Sequence, residues 1–118
     1  MQQRYDLEER LIEFAVAVCA VSGRLPRTRV ANHVAGQLIR CATAPAPNYA
    51  ESQSAESRRD FVHKLRICLK ELRETHVWLR LIKRLNLSHG ADVENALREA
   101  NELISILVTS VETARRSS

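Results

Sequence analysis

From Ser57 to Leu85 the chain places Phe61, Leu65, Cys68, Leu72, Thr75, Leu79 and Ile82 at spacings that alternate between four and three. That alternation is the seam of one long amphipathic helix. The rest of the sequence reads as partners for it. With only 3 Gly and 3 Pro in 118 residues, breakers are scarce and elements run long. Aromatic residues make up 4%, so the core must be aliphatic. The length suits a single domain, residues 1–118, able to bury about two-thirds of its unfolded surface.

The first helix is expected over about residues 5–22, with Leu7, Leu11, Phe14, Val18 and Val21 as its main stripe. Asp6, Glu8 and Glu9 suit the positive end of its dipole, and Gly23 its C-terminus. After Glu13 no charge appears until Arg24. Ile12, Val16 and Cys19 form a second apolar stripe, which points to burial on two sides, one of them against another subunit.

The second helix is expected over 29–53, capped by Thr28, with Val30, Val34, Leu38 and Cys41 at helical spacing. Pro45 and Pro47 kink or interrupt it, because proline lacks a donor and disfavours helix in the preceding residue. The organising helix covers 57–85 and is capped by Ser54 or Ser57, the latter three residues before Asp60. The last helix covers 91–114, capped by Ser88 or Asp92, with Val93, Leu97, Ala100, Ile104, Leu107 and Val111 inward. Arg115 to Ser118 is expected to fray. Four helices with short loops imply an all-α, antiparallel up-down-up-down four-helix bundle.

The organising helix has two further faces. Arg59, Arg66, Arg73 and Arg80 recur every seven residues, and Lys70 and Arg84 fall on the same side. Such a row can meet phosphates; equally, it can be a solvated face paired with Glu74 or with carboxylates of neighbouring helices. No aromatic residues interleave, so a stacking platform for single strands is not indicated. Ile67, Trp78, Leu81 and Leu85 make an apolar face away from the seam, near Glu71 and Glu74. Left uncovered, that face and the second stripe of the first helix would form patches typical of interfaces, with Trp78 as anchor, although Trp78 can instead pack on the last helix.

The net charge of +4 and pI near 9.3 fit a polyanionic partner only mildly. Cys19, Cys41 and Cys68 are odd in number and widely spaced, which argues for buried reduced thiols rather than a disulfide framework or zinc knuckle. His33, His63, His76 and His89 show no ligand spacing, and no phosphate-binding glycine loop or nucleophile context exists. An enzyme is disfavoured, and no cofactor or metal is expected. Met1 to Arg10 is polar, so no signal peptide is expected there, and Ala15 to Val21 is too short to span a bilayer. The chain therefore reads as cytoplasmic, without a membrane partner.

Four blocks carry a resemblance: Gln37-Leu38-Ile39-Arg40-Cys41-Ala42, Asn48-Tyr49-Ala50-Glu51, Ser57-Arg58-Arg59-Asp60-Phe61, and Leu69-Lys70-Glu71-Leu72-Arg73-Glu74-Thr75. In this order and spacing they resemble the four-helix-bundle proteins of 23S rRNA intervening sequences, the ribosomal S23-like group. Arg40, Asn48, Glu51, Asp60, Phe61 and Glu71 match the family's characteristic places. Tyr49, Ser52 and the additional Pro47 depart from its pattern. The resemblance implies a homo-oligomeric ring, commonly a pentamer, in bacteria. Similar bundles serve beside a reverse transcriptase and nucleic acid. Asn48, Glu51 and Glu71 also have a structural role open to them: satisfying backbone groups freed by the prolines, or pairing with Arg40. The reading is thus a non-enzymatic, oligomeric protein that binds RNA or DNA through Arg59, Arg66, Lys70, Arg73, Arg80 and Arg84. The alternative is a protein-binding adaptor without nucleic-acid contact of its own; a metal or small-ligand site in the bundle is the weakest reading.

Overall fold

The computed structural model describes residues 7–117. Five helical segments follow one another: α1 Leu7–Gly23, α2 Arg29–Thr43, α3 Pro45–Ser52, α4 Arg58–Arg84 and α5 Ala91–Arg116. The expected start of the first helix at Tyr5 and Asp6 lies outside the described residues. The single helix expected over 29–53 is two segments, α2 and α3, joined at Ala44. Ala44 keeps helical angles, φ −77° and ψ −36°, so the two make one interrupted pillar. Pro45 and Pro47 remove two amide donors there. Asn48 supports the joint, donating to the Ala44 carbonyl from its backbone amide at 3.2 Å and from Nδ2 at 2.9 Å.

Capping explains most of the ends. Thr28 Oγ1 accepts from the amide of Ala31 at 3.1 Å, and Ser57 Oγ from that of Asp60 at 3.0 Å. After α4, Asn86 turns left-handed at φ 57° and the Leu87 amide reaches back to the Ile82 carbonyl at 3.0 Å. That is a Schellman closure with Asn in the usual glycine place. Three expectations are corrected. No glycine takes positive φ, so Gly23 simply ends α1 without a left-handed cap. Gly90, not Ser88 or Asp92, precedes α5; Asp92 sits in its first turn and pairs with Arg24. Arg115 and Arg116 continue α5, whose last turn is braced by Arg58 Nη1 donating to the Ala114 carbonyl at 3.0 Å.

Cross-helix pairs fix the directions. Arg10 meets Glu99 and Glu102, and Arg24 meets Asp92, so α1 and α5 run antiparallel. His33–Trp78, Arg40–Glu74 and Lys64–Glu51 set α2 and α3 antiparallel to α4. Lys83–Glu94 and Arg58–Ala114 do the same for α4 and α5. The four pillars therefore run up, down, up, down, each beside its chain neighbour, with α5 closing on α1.

Leu11, Phe14, Val18, Leu38, Leu65, Leu72, Leu79, Ile82, Leu103 and Leu107 form the centre of an aliphatic core. The seam of α4 is buried from Leu65 to Ile82, with Phe61 packed partly buried at its edge. Thr75, wholly buried, donates its hydroxyl to the Glu71 carbonyl at 2.8 Å. Val30 departs from expectation: it is exposed, and Ala31 takes the inward place at the start of α2.

Candidate nucleic-acid interface

α4 carries the three faces at work. Lys64, Glu71, Glu74 and Trp78 mark its flank toward α2 and α3, and Arg58 and Lys83 its flank toward α5. Arg59, Arg66, Lys70, Arg73, Arg80 and Arg84 face neither flank and are all exposed. None of them makes a hydrogen bond or ion pair among the described residues. Other cations contrast with them: Arg10, Arg24, Arg40, Lys64, Lys83 and Arg116 each hold a carboxylate. Glu71 and Glu74, which lie beside the row on α4, are held by Arg40 instead.

Glu71 and Glu74 show where. Arg40 Nη1 lies 3.4 Å from Glu71 Oε1, and Arg40 Nη2 hydrogen-bonds Glu74 Oε2. Gln37 Oε1 accepts from the same guanidinium at 3.1 and 3.3 Å. Glu74 Oε2 also accepts from Trp78 Nε1 at 3.1 Å, and the Trp78 ring meets His33 edge-on at 5.9 Å. The cluster clasps α2 to α4. It engages Trp78 within its own chain, against α2 rather than the last helix. Ile67 is partly buried on the same flank.

The other family-motif residues are structural in this geometry. Asn48 braces the proline joint. Glu51 pairs with Lys64 at 2.7 Å, and the nearby Asp60 joins Glu51 in raising the Lys64 pKa. Phe61 packs against the core. Ser52, where the family pattern has glycine, is buried and donates to the Tyr49 carbonyl at 2.6 Å, closing α3.

Two apolar groups remain uncovered. Ile12 and Val16 on α1 are 39% and 62% exposed, and Ile39, on the flank of α2 turned from α4, is 43% exposed. Leu81 and Leu85 near the end of α4 are exposed, and so is Val30 at the end of α2 that the antiparallel pairing sets toward the same end of the bundle. Val77 lies exposed within the basic row itself. Sequence periodicity missed Val30, which it assigned inward, and gave no interface role to Ile39 or Val77. Cys19 is partly buried and Cys41 and Cys68 are buried; all three are free thiols. Burial pushes the Cys68 thiol up to about 12 and raises that of Cys41. His76 is held below the usual imidazole range, by burial first and by Arg80 second. Among the described residues, no group of three or more His, Cys, Asp or Glu is placed to hold a metal ion. Nor is any helix long and apolar enough to cross a membrane.

These features define an all-helical bundle whose distinguishing surface is one uncompensated cationic helix face. The chain belongs to the 23S rRNA-intervening sequence protein family, whose pattern matches residues 3–109. A crystal structure of a protein of unknown function from the S23 ribosomal protein family of Bacteroides thetaiotaomicron is similar in fold, with a TM-score of 0.82. It is 28% identical over 89% of this chain and 97% of that one. No curated protein matches the chain.

Proposed function

We propose that this protein performs no chemistry of its own and binds structured RNA or DNA as a homo-oligomer, through the basic face of α4. The observation that carries the reading is that Arg59, Arg66, Lys70, Arg73, Arg80 and Arg84 have no partner among the described residues, while Glu71 and Glu74 are held by Arg40. From Arg59 to Arg84 the row runs about 37 Å along the helix. That length is close to one turn of a B-form DNA duplex, about 34–36 Å. Arginine suits the task because its fork matches phosphate oxygens and never loses its charge.

Assembly has its own support. Ile12, Val16 and Ile39 are exposed on the packed pair α1 and α2, and Val30, Leu81 and Leu85 on the packed pair α2 and α4. Contact between unlike patches is head-to-tail, and such contacts form rings when the rotation between neighbours closes. The family resemblance, which implies a pentameric ring, agrees.

Fluorescence anisotropy with a structured RNA across a salt series tests the reading. If every cation of the row meets a phosphate, log K falls against log salt with a slope of about −5. An R66E/R73E/R80E variant should lose binding while keeping its helical content. No binding to RNA or DNA at low salt would sink the proposal. It would leave the second reading, a protein-binding adaptor or accessory subunit, which the exposed Val77 inside the row favours.

A further inference from the structure

One end of the row differs from the rest of it. Arg58, Arg59, His63 and Arg66 of α4 and Arg115 of α5 line a recess of about 550 Å³, with Val62 as its apolar wall. Along the remainder of α4 the cations are strung out, from about 5 to 10 Å apart, which suits one backbone phosphate each. At this end they line a single recess open to solvent. Among the described residues no carboxylate lines it. Arg58 is fixed by its bond from Nη1 to the Ala114 carbonyl at 3.0 Å, which leaves its other N–H groups as donors. Arg59, His63 and Arg66 have no partner among the described residues.

The charge density selects the ligand. A phosphodiester carries a single negative charge, whereas a phosphomonoester carries about −1.5 to −2 at neutral pH and three strong acceptor oxygens. Guanidinium groups converging on one volume gain most from the second, since each charge-assisted bond is short and about twice as strong as a neutral one. We propose that this recess seats a phosphomonoester, supplied by the end of a nucleic-acid strand whose body lies along α4. The inference rests on the reading of the α4 row as a nucleic-acid surface. A free mononucleotide or inorganic phosphate shares the same chemistry and is separated from a strand end by experiment.

Two RNA hairpins of one sequence, one ending in a 5′-phosphate and one in a 5′-hydroxyl, are compared by anisotropy at a fixed salt of about 0.1 M. The phosphorylated hairpin should bind about tenfold tighter. In R59A/R66A that ratio should collapse to one. In R73A/R80A both affinities should fall and the ratio should persist, which separates the recess from the row. All four arginines are exposed, and circular dichroism checks that each variant keeps its helices. Equal affinity for the two hairpins, or a ratio that survives R59A/R66A, overturns the proposal of a strand end. If neither hairpin binds, the row reading fails, and inorganic phosphate followed by phosphorus NMR decides the recess alone. Line broadening abolished by R59A/R66A then assigns it to free phosphate, and no broadening removes the site.

Discussion

Arg40 shows how much one exposed side chain can organise. It gathers Gln37, Glu71 and Glu74, and through Glu74 it reaches the indole of Trp78. Substituting Glu74→Gln removes the charge that Arg40 holds. The thermal midpoint should fall, and the emission of Trp78, the only tryptophan, should shift to the red. An unchanged spectrum would mean that the clasp does not exist in solution. From the sequence, either Glu51 or Glu71 could have paired with Arg40, because helical spacing says which residues share a face but not which helix lies opposite. That depends on the order of helices around the core, and the order gave Glu71 and Glu74 to Arg40 and Glu51 to Lys64. The thiols make a second residue-scale case. At pH 8 an alkylating reagent followed by mass spectrometry should label Cys19 first, with Cys41 and Cys68 protected by burial. The folded chain holds the Cys68 proton more tightly than the unfolded chain, whose thiol titrates near 9. Stability from this group is therefore complete below pH 9 and is lost as the pH rises toward about 12.

At the scale of elements, local signals decided what local chemistry controls. Thr28 and Ser57 cap as their types and positions imply, and two prolines within three residues interrupt the second pillar at Ala44. α4 ends at Arg84 with Leu85 as its C-cap, where the helix expected over 57–85 also stops, and the left-handed Asn86 just beyond is a recognised stop signal. Asn86→Ala should destabilise the protein by about 1 kcal/mol, since Ala tolerates the left-handed region poorly, while Asn86→Gly should not. Asn48→Ala should cost about 1 kcal/mol by removing a side-chain donor from the proline joint. Urea unfolding measures both; an Asn86→Ala protein as stable as the parent would show that the turn does not depend on that backbone conformation. The true end of α5 could not be read locally. Arg58 holds its last turn from 56 residues away in sequence.

For the whole molecule, periodicity placed the core, because burial follows from apolar stripes on helices that must cover one another. It could not separate a paired surface from an unpaired one, which needs the positions of all carboxylates at once. Ring assembly by unlike patches has a specific signature. Val16→Glu spoils one patch and Leu81→Glu the other, so each variant alone should be monomeric by light scattering. An equimolar mixture should give a dimer and nothing larger, since one good copy of each patch remains. Aggregates of ring size in either variant would remove that geometry. The row on α4, unpartnered among the described residues, has a last consequence, for the protein on its own. Arg66 and Lys70, and Arg80 and Arg84, stand four residues apart on one helix, where like charges repel. The free protein is thus under standing electrostatic tension, which multivalent anions relieve. Its melting point should rise more in sulfate or phosphate than in chloride of equal ionic strength, so the choice of buffer alone becomes a readout of the surface.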